Sequence, residues 1–370
     1  MKSTLSAETS KNKGEWSELY TFIKLLYEGR IFAADENLEP LSSSDFLPII
    51  KIRREEEVGD IYDYHTGNDK CQYVKIYHNE LFITKIPVEE FRIQTALLYK
   101  DLSSPGTGNL KLSEMNGLQK FLQRIFINKI TADNTHKADI IMEFLDVYTG
   151  FKLLSGFSIK SQLGAASTLL NASKATNFIF QINGIDDDLM NQANNIATRS
   201  KIMDRMELLK NSSEGFTFVG VDNEVFADNL EMIDSRMAEI MSFVLLYRYR
   251  DNIKSTPEII QRLCSENPLY YHNNRIYEYK YKKLLAAVAL GMMPSKYWNG
   301  RDEANGGYVI VKKNGDVLAY YLYNRNAFED YLLKTTFLEA ASTTRHEYAS
   351  VYKKDGKYYI KLNLQIRFKA

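Results

Sequence analysis

The chain is poor in the residues that most often carry covalent or redox chemistry: its 370 residues include 2 cysteines and 5 histidines. Cys71 and Cys264 stand far apart with no His or Cys near either, which argues against a zinc ligand set and a disulfide framework. So few thiols suit a reducing cytoplasm. An excess of charge is lacking too. Lys plus Arg number 47 and Asp plus Glu 47, so any surface for nucleic acid has to come from local segregation of basic residues. No apolar run approaches the ~20 residues of a bilayer span, and the polar opening MKSTLSAETSKNKGE has no hydrophobic signal core. A soluble, unprocessed protein with no membrane partner is expected. The loop at 103–109, SSPGTGN, has Gly106 and Gly108 but no following Lys-Ser/Thr, which argues against a phosphate-binding P-loop. Internal repeats and low-complexity linkers are absent.

What is present is enough chain for two cores, or for one elaborated core of enzyme size. Over Gly14 to Glu28, residues Trp16, Leu19, Tyr20, Ile23 and Leu26 recur at helical spacing, with Phe22 and Leu25 widening the apolar face. Glu18 lies on the flank of that face. A carboxylate there either finds a partner, because an unpaired buried charge is costly, or stays at the surface in the first turn where the helix dipole favours it.

Short strands are expected at Arg30 to Ala34, Leu47 to Arg53, Gln72 to Tyr77 and Glu80 to Ile86, with Arg53 to Glu57 as a solvated, mixed-charge edge. Pro87 to Lys100 and Leu112 to Phe126 read as helices, and Thr176 to Ile182 as a buried strand. From 186 to 293 the pattern is mostly helical: Asp187 to Ala197, Ile202 to Lys210, Glu224 to Arg248, Pro257 to Cys264 and Ile276 to Leu290. Asp186, Asp187 and Asp188 precede the first of these and read as a capping cluster.

The stretch KADIIMEFLDVYTGFKLLSGFSIKSQ at 137–162 organises the rest. Its halves read as two strands joined at Thr149-Gly150, a β-hairpin. With a two-residue turn, Tyr148 faces Phe151 and Asp139 falls opposite Lys160, with Cβ atoms about 4.5–5.5 Å apart. Ser158 and Gln162 share the face of Lys160. Taken alone, Asp139 and Lys160 fit either a surface salt bridge or a pair with chemical work to do. From Tyr308 on, the chain changes to strands with Asn314-Gly315 and Asp355-Gly356 as turns, and from Ala341 basic residues outnumber acidic ones among many tyrosines. That composition suits phosphate and base contacts, or an edge sheet whose lysines discourage aggregation.

An Asp at the head of one strand and a Lys near the end of the next resembles the PD-(D/E)xK nuclease site, with Ala138-Asp139 for the first motif and Ser158-Ile159-Lys160 for the second. Ser158 stands where an acid is usual. Lys13-Gly14-Glu15-Trp16-Ser17-Glu18 resembles the KGxxxE first helix of several such nucleases, where the Glu helps to bind metal. Together with GFSIKSQLGAASTLLNASKATNF at 156–178, YNRNAFEDYLLKTTF and STTRHEY, these motifs are similar in order and spacing to the HpaII family of type II restriction endonucleases over nearly the whole chain.

The resemblance implies an α/β (α+β) fold: a nuclease core with a mixed central sheet flanked by helices over 1–200, carrying an N-terminal strand insertion. A helical region at 201–300 and a β-rich DNA-recognition region at 301–370 follow. It also implies Mg²⁺-dependent cleavage of double-stranded DNA at a short palindrome, CCGG in the name-giving member, together with a cognate DNA methyltransferase. A two-fold palindrome invites a homodimer. Asp139 and Glu18 are then the expected metal ligands and Lys160 the catalytic lysine, with Gln162 adding a polar contact. Glu143 on the same hairpin face is ~13 Å along the strand from Asp139 and too far to share a metal. Arg325, Asn326, Arg345 and His346 are expected to touch bases, and Lys353 and Lys354 the phosphate backbone. A structure-specific or repair nuclease, or a catalytically inactive DNA-binding protein, is the alternative that the missing acid leaves open.

Overall fold

The computed structural model describes residues 11–42, 46–67, 72–106, 110, 112, 115–130, 138–146, 150–321 and 324–369. In chain order the elements begin with α1 (Lys13–Glu28), β1 (Arg30–Ala33), β2 (Phe46–Glu57), β3 (Asp60–His65), β4 (Tyr73–His78), β5 (Leu81–Pro87), α2 (Val88–Leu102) and α3 (Met115–Arg124). Then come β6 (Ile140–Leu145), β7 (Lys152–Ser161), β8 (Thr168–Leu170), β9 (Asn177–Asn183), α4 (Asp187–Asn195), α5 (Lys201–Ser212), β10 (Gly215–Val221), α6 (Glu224–Ile233), α7 (Met237–Tyr249), α8 (Thr256–Glu266) and α9 (Ile276–Leu290). The last part holds β11 (Gly307–Val311), β12 (Val317–Tyr320), α10 (Arg325–Thr335), β13 (Thr336–Leu338), α11 (Thr343–His346), β14 (Val351–Lys354), β15 (Lys357–Asn363) and β16 (Ile366–Phe368). Helices and several sheets alternate, a mixed α/β chain. Among the described residues no helix is long and apolar enough to cross a membrane.

Two compact units result. One comprises the chain up to Ser167 together with Asp302–Tyr331, and the other Thr168–Arg301 with Leu332–Lys369. This grouping follows contacts, whereas the boundaries at 200 and 300 follow changes in composition. Residues 302–331 join the first unit because β11 lies parallel to β7, with Tyr308 beside Ser158 and Ile310 beside Lys160.

In the first unit the strands form one sheet in the order β1-β12-β11-β7-β6-β2-β3-β4-β5. The first strand also pairs with β2, Ile31 opposite Leu47, so six strands close into a ring. Side chains from all six, including Ile31, Ile52, Met142, Phe157, Val309 and Ala319, join α1 in a single core. This explains why Trp16, Leu19, Tyr20, Ile23 and Leu26 are buried. The helix starts at a capping box, where the Asn12 side chain accepts from Glu15 N and the Glu15 carboxylate from Asn12 N, and it stops at Gly29 with φ 62°.

Several expectations are corrected. Arg53 to Glu57 is no solvated edge: β2 lies between β6 and β3, and alternation carries Ile52, Arg54 and Glu56 onto its core face. Arg54 and Glu56 are 7% and 2% exposed and paired at 3.0 Å; Arg54 also donates to Lys129 O, and Glu56 accepts from Asn128 N. The expected helix from Glu224 to Arg248 is two helices. Asp234 adopts an extended conformation between them, its carboxylate accepting from Arg236 N and Lys280. Strands β3 and β10 were not foreseen. The tail is not all strand, because Phe328 and Tyr331 of α10 pack on Tyr308 and Tyr320 with ring centroids 5.0 and 5.1 Å apart. Asp186 caps α4 as anticipated, accepting from Leu189 N at 2.9 Å. Cys264 is a free thiol; Cys71 lies outside the described residues.

In the second unit β10-β9-β15-β14 form an antiparallel sheet and β13-β16-β8 a smaller one. Arg205 of α5 donates to the carbonyls of Asn194, Ile196 and Ala349, tying that helix to the segment before β14.

The buried Arg54–Glu56 pair makes a stability prediction. Glu56→Ala leaves a guanidinium buried without counter-charge and is expected to lower stability by about 3–5 kcal/mol in denaturant unfolding. Replacing both residues with apolar side chains of similar size is expected to cost much less. Equal losses in the two variants would mean that the pair is not what holds this face.

Candidate active site

The hairpin exists, but in another register. Ile140 lies opposite Phe157 and Leu145 opposite Lys152, so paired numbers differ by two from those of a two-residue turn. The connection is longer: Asp146 N donates to Phe151 O, and Gly150 N to Asp146 O. Thr149 of the expected turn lies outside the described residues. Asp139 therefore meets Ser158, and not Lys160, across the strands. Because side chains alternate with period two, a slip of two leaves every residue on its expected face, with Lys160 one step further along.

Asp139 sits immediately before β6, where one close approach holds it. A Cβ on Gly156 would lie 2.5 Å from the Cβ of Ala138, so only glycine lets Ala138 and Asp139 lie against β7. The Asp139 N–H donates to Phe157 O at 2.9 Å. Its Oδ2 accepts from Ile159 N at 2.6 Å and from Ser158 Oγ at 3.1 Å. Ser158, 7% exposed, thus orients the carboxylate and is no vacant ligand position. Oδ1 makes no hydrogen bond to another described residue.

Strand β7 continues past the start of β6, so Ser158 to Ser161 have no partner in that strand. Helix α1 packs against this overhang, with Ser17 Oγ donating to Lys13 O at 2.7 Å and accepting from the Ser161 hydroxyl at 2.8 Å. The next residue of the helix, Glu18, is partly buried and makes no hydrogen bond to another described residue. Burial pushes its carboxyl from an ordinary 4.5 up to about 8; repulsion from Asp139 adds to this, and Lys160 opposes it, followed by smaller effects of Glu15 and Arg54. Three side chains from α1, the start of β6 and the end of β7 are thus within electrostatic reach of one another. Arg54 belongs to the same neighbourhood, its guanidinium 5.4 Å from the ring of Phe22. Tyr308, beside Ser158, faces Asp139 too: burial, then Tyr331 and Asp139, raise its phenol well above the ordinary 10.

The other acids of the region are engaged. Glu15 closes the capping box and pairs with Lys11 at 3.1 Å, while Glu143 lies 3.4 Å from Lys51. Gln162 follows the end of β7, partly buried, with its N–H on Val311 O at 2.9 Å and no side-chain hydrogen bond to a described residue. Among the described residues no group of three His, Cys, Asp or Glu is placed to hold a metal ion. Glu18 and Asp139 together could offer two carboxylates, and Glu18 has no hydrogen bond or ion pair to another described residue. This fits a hard cation such as Mg²⁺, which takes one or two carboxylates and completes its shell with water and substrate phosphate.

The residues expected to touch DNA divide between the units. Arg325 and Asn326 open α10 in the first, Arg325 between Glu329 at 3.2 Å and Asp302 at 3.3 Å, Asn326 exposed. Arg345, His346, Lys353 and Lys354 are in the second. Arg345 is exposed and carries no ion pair among the described residues; His346 is held below its ordinary 6.5 by burial and by Arg345. Lys353 pairs with Asp187 at 2.8 Å, an exposed bridge that costs little to exchange for a phosphate. Lys354 is exposed.

Comparison with known proteins identifies a family. The family model described as HpaII restriction endonuclease matches residues 12–368. The chain is 35% identical over 362 residues to the type II restriction enzyme HpaII of Haemophilus parainfluenzae, covering 97% of this chain and 98% of that one. No solved structure matches.

Glu18 makes a pH prediction that needs no activity measurement. Folded, its carboxyl stays protonated to about pH 8, whereas in the unfolded chain it ionises near 4.5. Between those values the native state holds the extra proton, so stability falls as pH rises. With a chelator present, Glu18→Gln should melt like the wild type below about pH 4.5 and at increasingly higher temperature than the wild type up to about pH 8. A melting difference that does not change across this window would show that Glu18 titrates normally in the fold.

Proposed function

Because the chain belongs to the HpaII restriction endonuclease family, we propose that its type II, site-specific deoxyribonuclease activity resides in the cluster of Glu18, Asp139 and Lys160. The observation that carries this reading is the partly buried Glu18 carboxyl, without a hydrogen bond to another described residue and within electrostatic reach of Asp139 and Lys160, brought by a helix more than a hundred residues away in sequence. The core around it is then of the PD-(D/E)xK type, with Glu18 standing in for the acid absent at Ser158.

Glu18 and Asp139 would hold Mg²⁺, which when bound supplies an acidified water and neutralises charge on the scissile phosphate. The chain's own residues do the rest. Ile159 N–H and Ser158 Oγ fix the Asp139 carboxylate, leaving Oδ1 for the cation. The Lys160 ammonium orients the attacking water and stabilises the charge of the pentavalent phosphorus. Attack of water forms the new phosphorus–oxygen bond as the bond from phosphorus to the sugar oxygen breaks in one displacement, the water's proton passing to solvent and the departing oxygen taking one up from solvent. No covalent enzyme intermediate is needed. Gln162, just beyond Lys160, offers a further polar contact to the phosphate.

The substrate is double-stranded DNA with a short palindromic site, for which we take CCGG by family likeness. A cognate DNA methyltransferase, a homodimeric assembly and a cytoplasmic location belong to the same proposal. Base reading is assigned to Arg345, His346, Arg325 and Asn326, and backbone contact to Lys353 and Lys354.

Plasmid digestion with Mg²⁺, followed by sequencing of the ends, tests the function directly, and discrete fragments with one end sequence are expected. Asp139→Asn or Lys160→Ala should abolish cleavage and leave fold and specific binding nearly intact. Wild-type turnover in Lys160→Ala would remove that residue from the site. Glu18→Gln should lose cleavage, most plainly at limiting Mg²⁺. For recognition, Arg345→Ala should cost about 1–3 kcal/mol on cognate DNA and little on other sequences. Equal losses on both would make Arg345 a backbone contact.

A further inference from the structure

A cleft wholly within the second unit is lined by Arg199, Lys201, Arg248 and Lys254, with no acidic residue in its wall. In a chain with 47 basic and 47 acidic residues, many basic groups in the structure find a carboxylate; these four do not. Arg199, Lys201 and Lys254 make no side-chain hydrogen bond or ion pair to any described residue. Arg248 is 4% exposed, yet its partners are neutral: Leu338 O at 3.0 Å, Asn252 Oδ1 at 3.2 Å and Met203 Sδ at 3.7 Å. The Glu339 carboxylate acts on it from further off and is itself paired with Arg367 at 2.6 Å. A buried guanidinium without a counter-charge is costly, and an anion entering the cleft would relieve it. The lining also includes Ser342, Thr343 and Thr344, hydroxyl residues directly before Arg345.

We propose that this cleft binds backbone phosphates of duplex DNA, independently of sequence, and so sets the position from which Arg345 reads bases. Guanidinium and ammonium groups with neighbouring hydroxyls are the donors that phosphate oxygens take. The proposal rests on the DNA-cleaving function, and its test separates the two.

Binding of a short labelled duplex of arbitrary sequence is measured between about 50 and 200 mM salt for the wild type and for Arg199→Gln/Lys201→Gln/Lys254→Gln. The variant should melt like the wild type, and its slope of log K against log salt should be shallower by about 0.9 for each phosphate that the protein no longer neutralises, about 2–3 in all. Binding should weaken by the same factor on any sequence. An unchanged slope overturns the proposal, as does a loss confined to one sequence. So does inorganic phosphate that binds the wild type and not the variant while the duplex slope stays the same. Lys254→Gln alone, at an exposed position, carries the test if the triple variant fails to fold. Absence of any duplex binding by the wild type would instead count against the DNA-cleaving reading itself.

Discussion

Two carboxyl groups brought together by packing, with burial keeping that of Glu18 protonated beside Asp139, are what the arrangement around the site depends on. Asp139 cannot turn away, because Ile159 N and Ser158 Oγ hold its Oδ2 and the missing Cβ at Gly156 lets its strand press onto β7. Glu18 cannot leave either. It belongs to a helix most of whose side chains are buried, the apolar ones in the core of a closed ring of strands. Shifting that helix outward would expose Trp16, Leu19 and their neighbours, at a cost of about 1.5–3 kcal/mol for each large apolar side chain exposed. The chain therefore keeps the Glu18 carboxyl protonated well above the range in which an ordinary glutamate ionises.

The same logic places the lysine. Lys160 is on the part of β7 that overruns β6, and β11 pairs with that overhang on its other side, Ile310 beside Lys160 and Tyr308 beside Ser158. A strand more than a hundred residues downstream thus completes the sheet at the site and puts a buried phenol next to Asp139. The β1 to β2 pairing closes these strands into a ring. Catalytic groups on such elements are held more tightly than groups on loops.

Much of the site was legible in local pattern. The helix at 14–28 and the alternation of the hairpin are periodicities that neighbouring residues decide, and they singled out Glu18, Asp139 and Lys160 separately; the resemblance to the nuclease motifs is what grouped them. The Asp186 cap was legible for the same reason. Ser158 was misread as a gap because its hydroxyl's target depends on register, and register depends on a connection longer than two residues. Arg54 and Glu56 were placed in solvent because charge was weighed above the alternation that continues from Ile52. That alternation was the signal that would have found them.

The amino-acid sequence by itself determined which residues share a face, since periods of 2 and 3.6 are properties of the backbone. It also determined the family, since motif order and spacing run along the whole chain. Only the tertiary structure decided what meets across faces: that α1 delivers Glu18 to Asp139, that β11 returns to lie beside β7, and that four cations in the second unit share a cleft without a carboxylate. Those meetings depend on packing between segments far apart in the chain, where no local propensity reaches and where burial and charge act on whatever the fold has brought together.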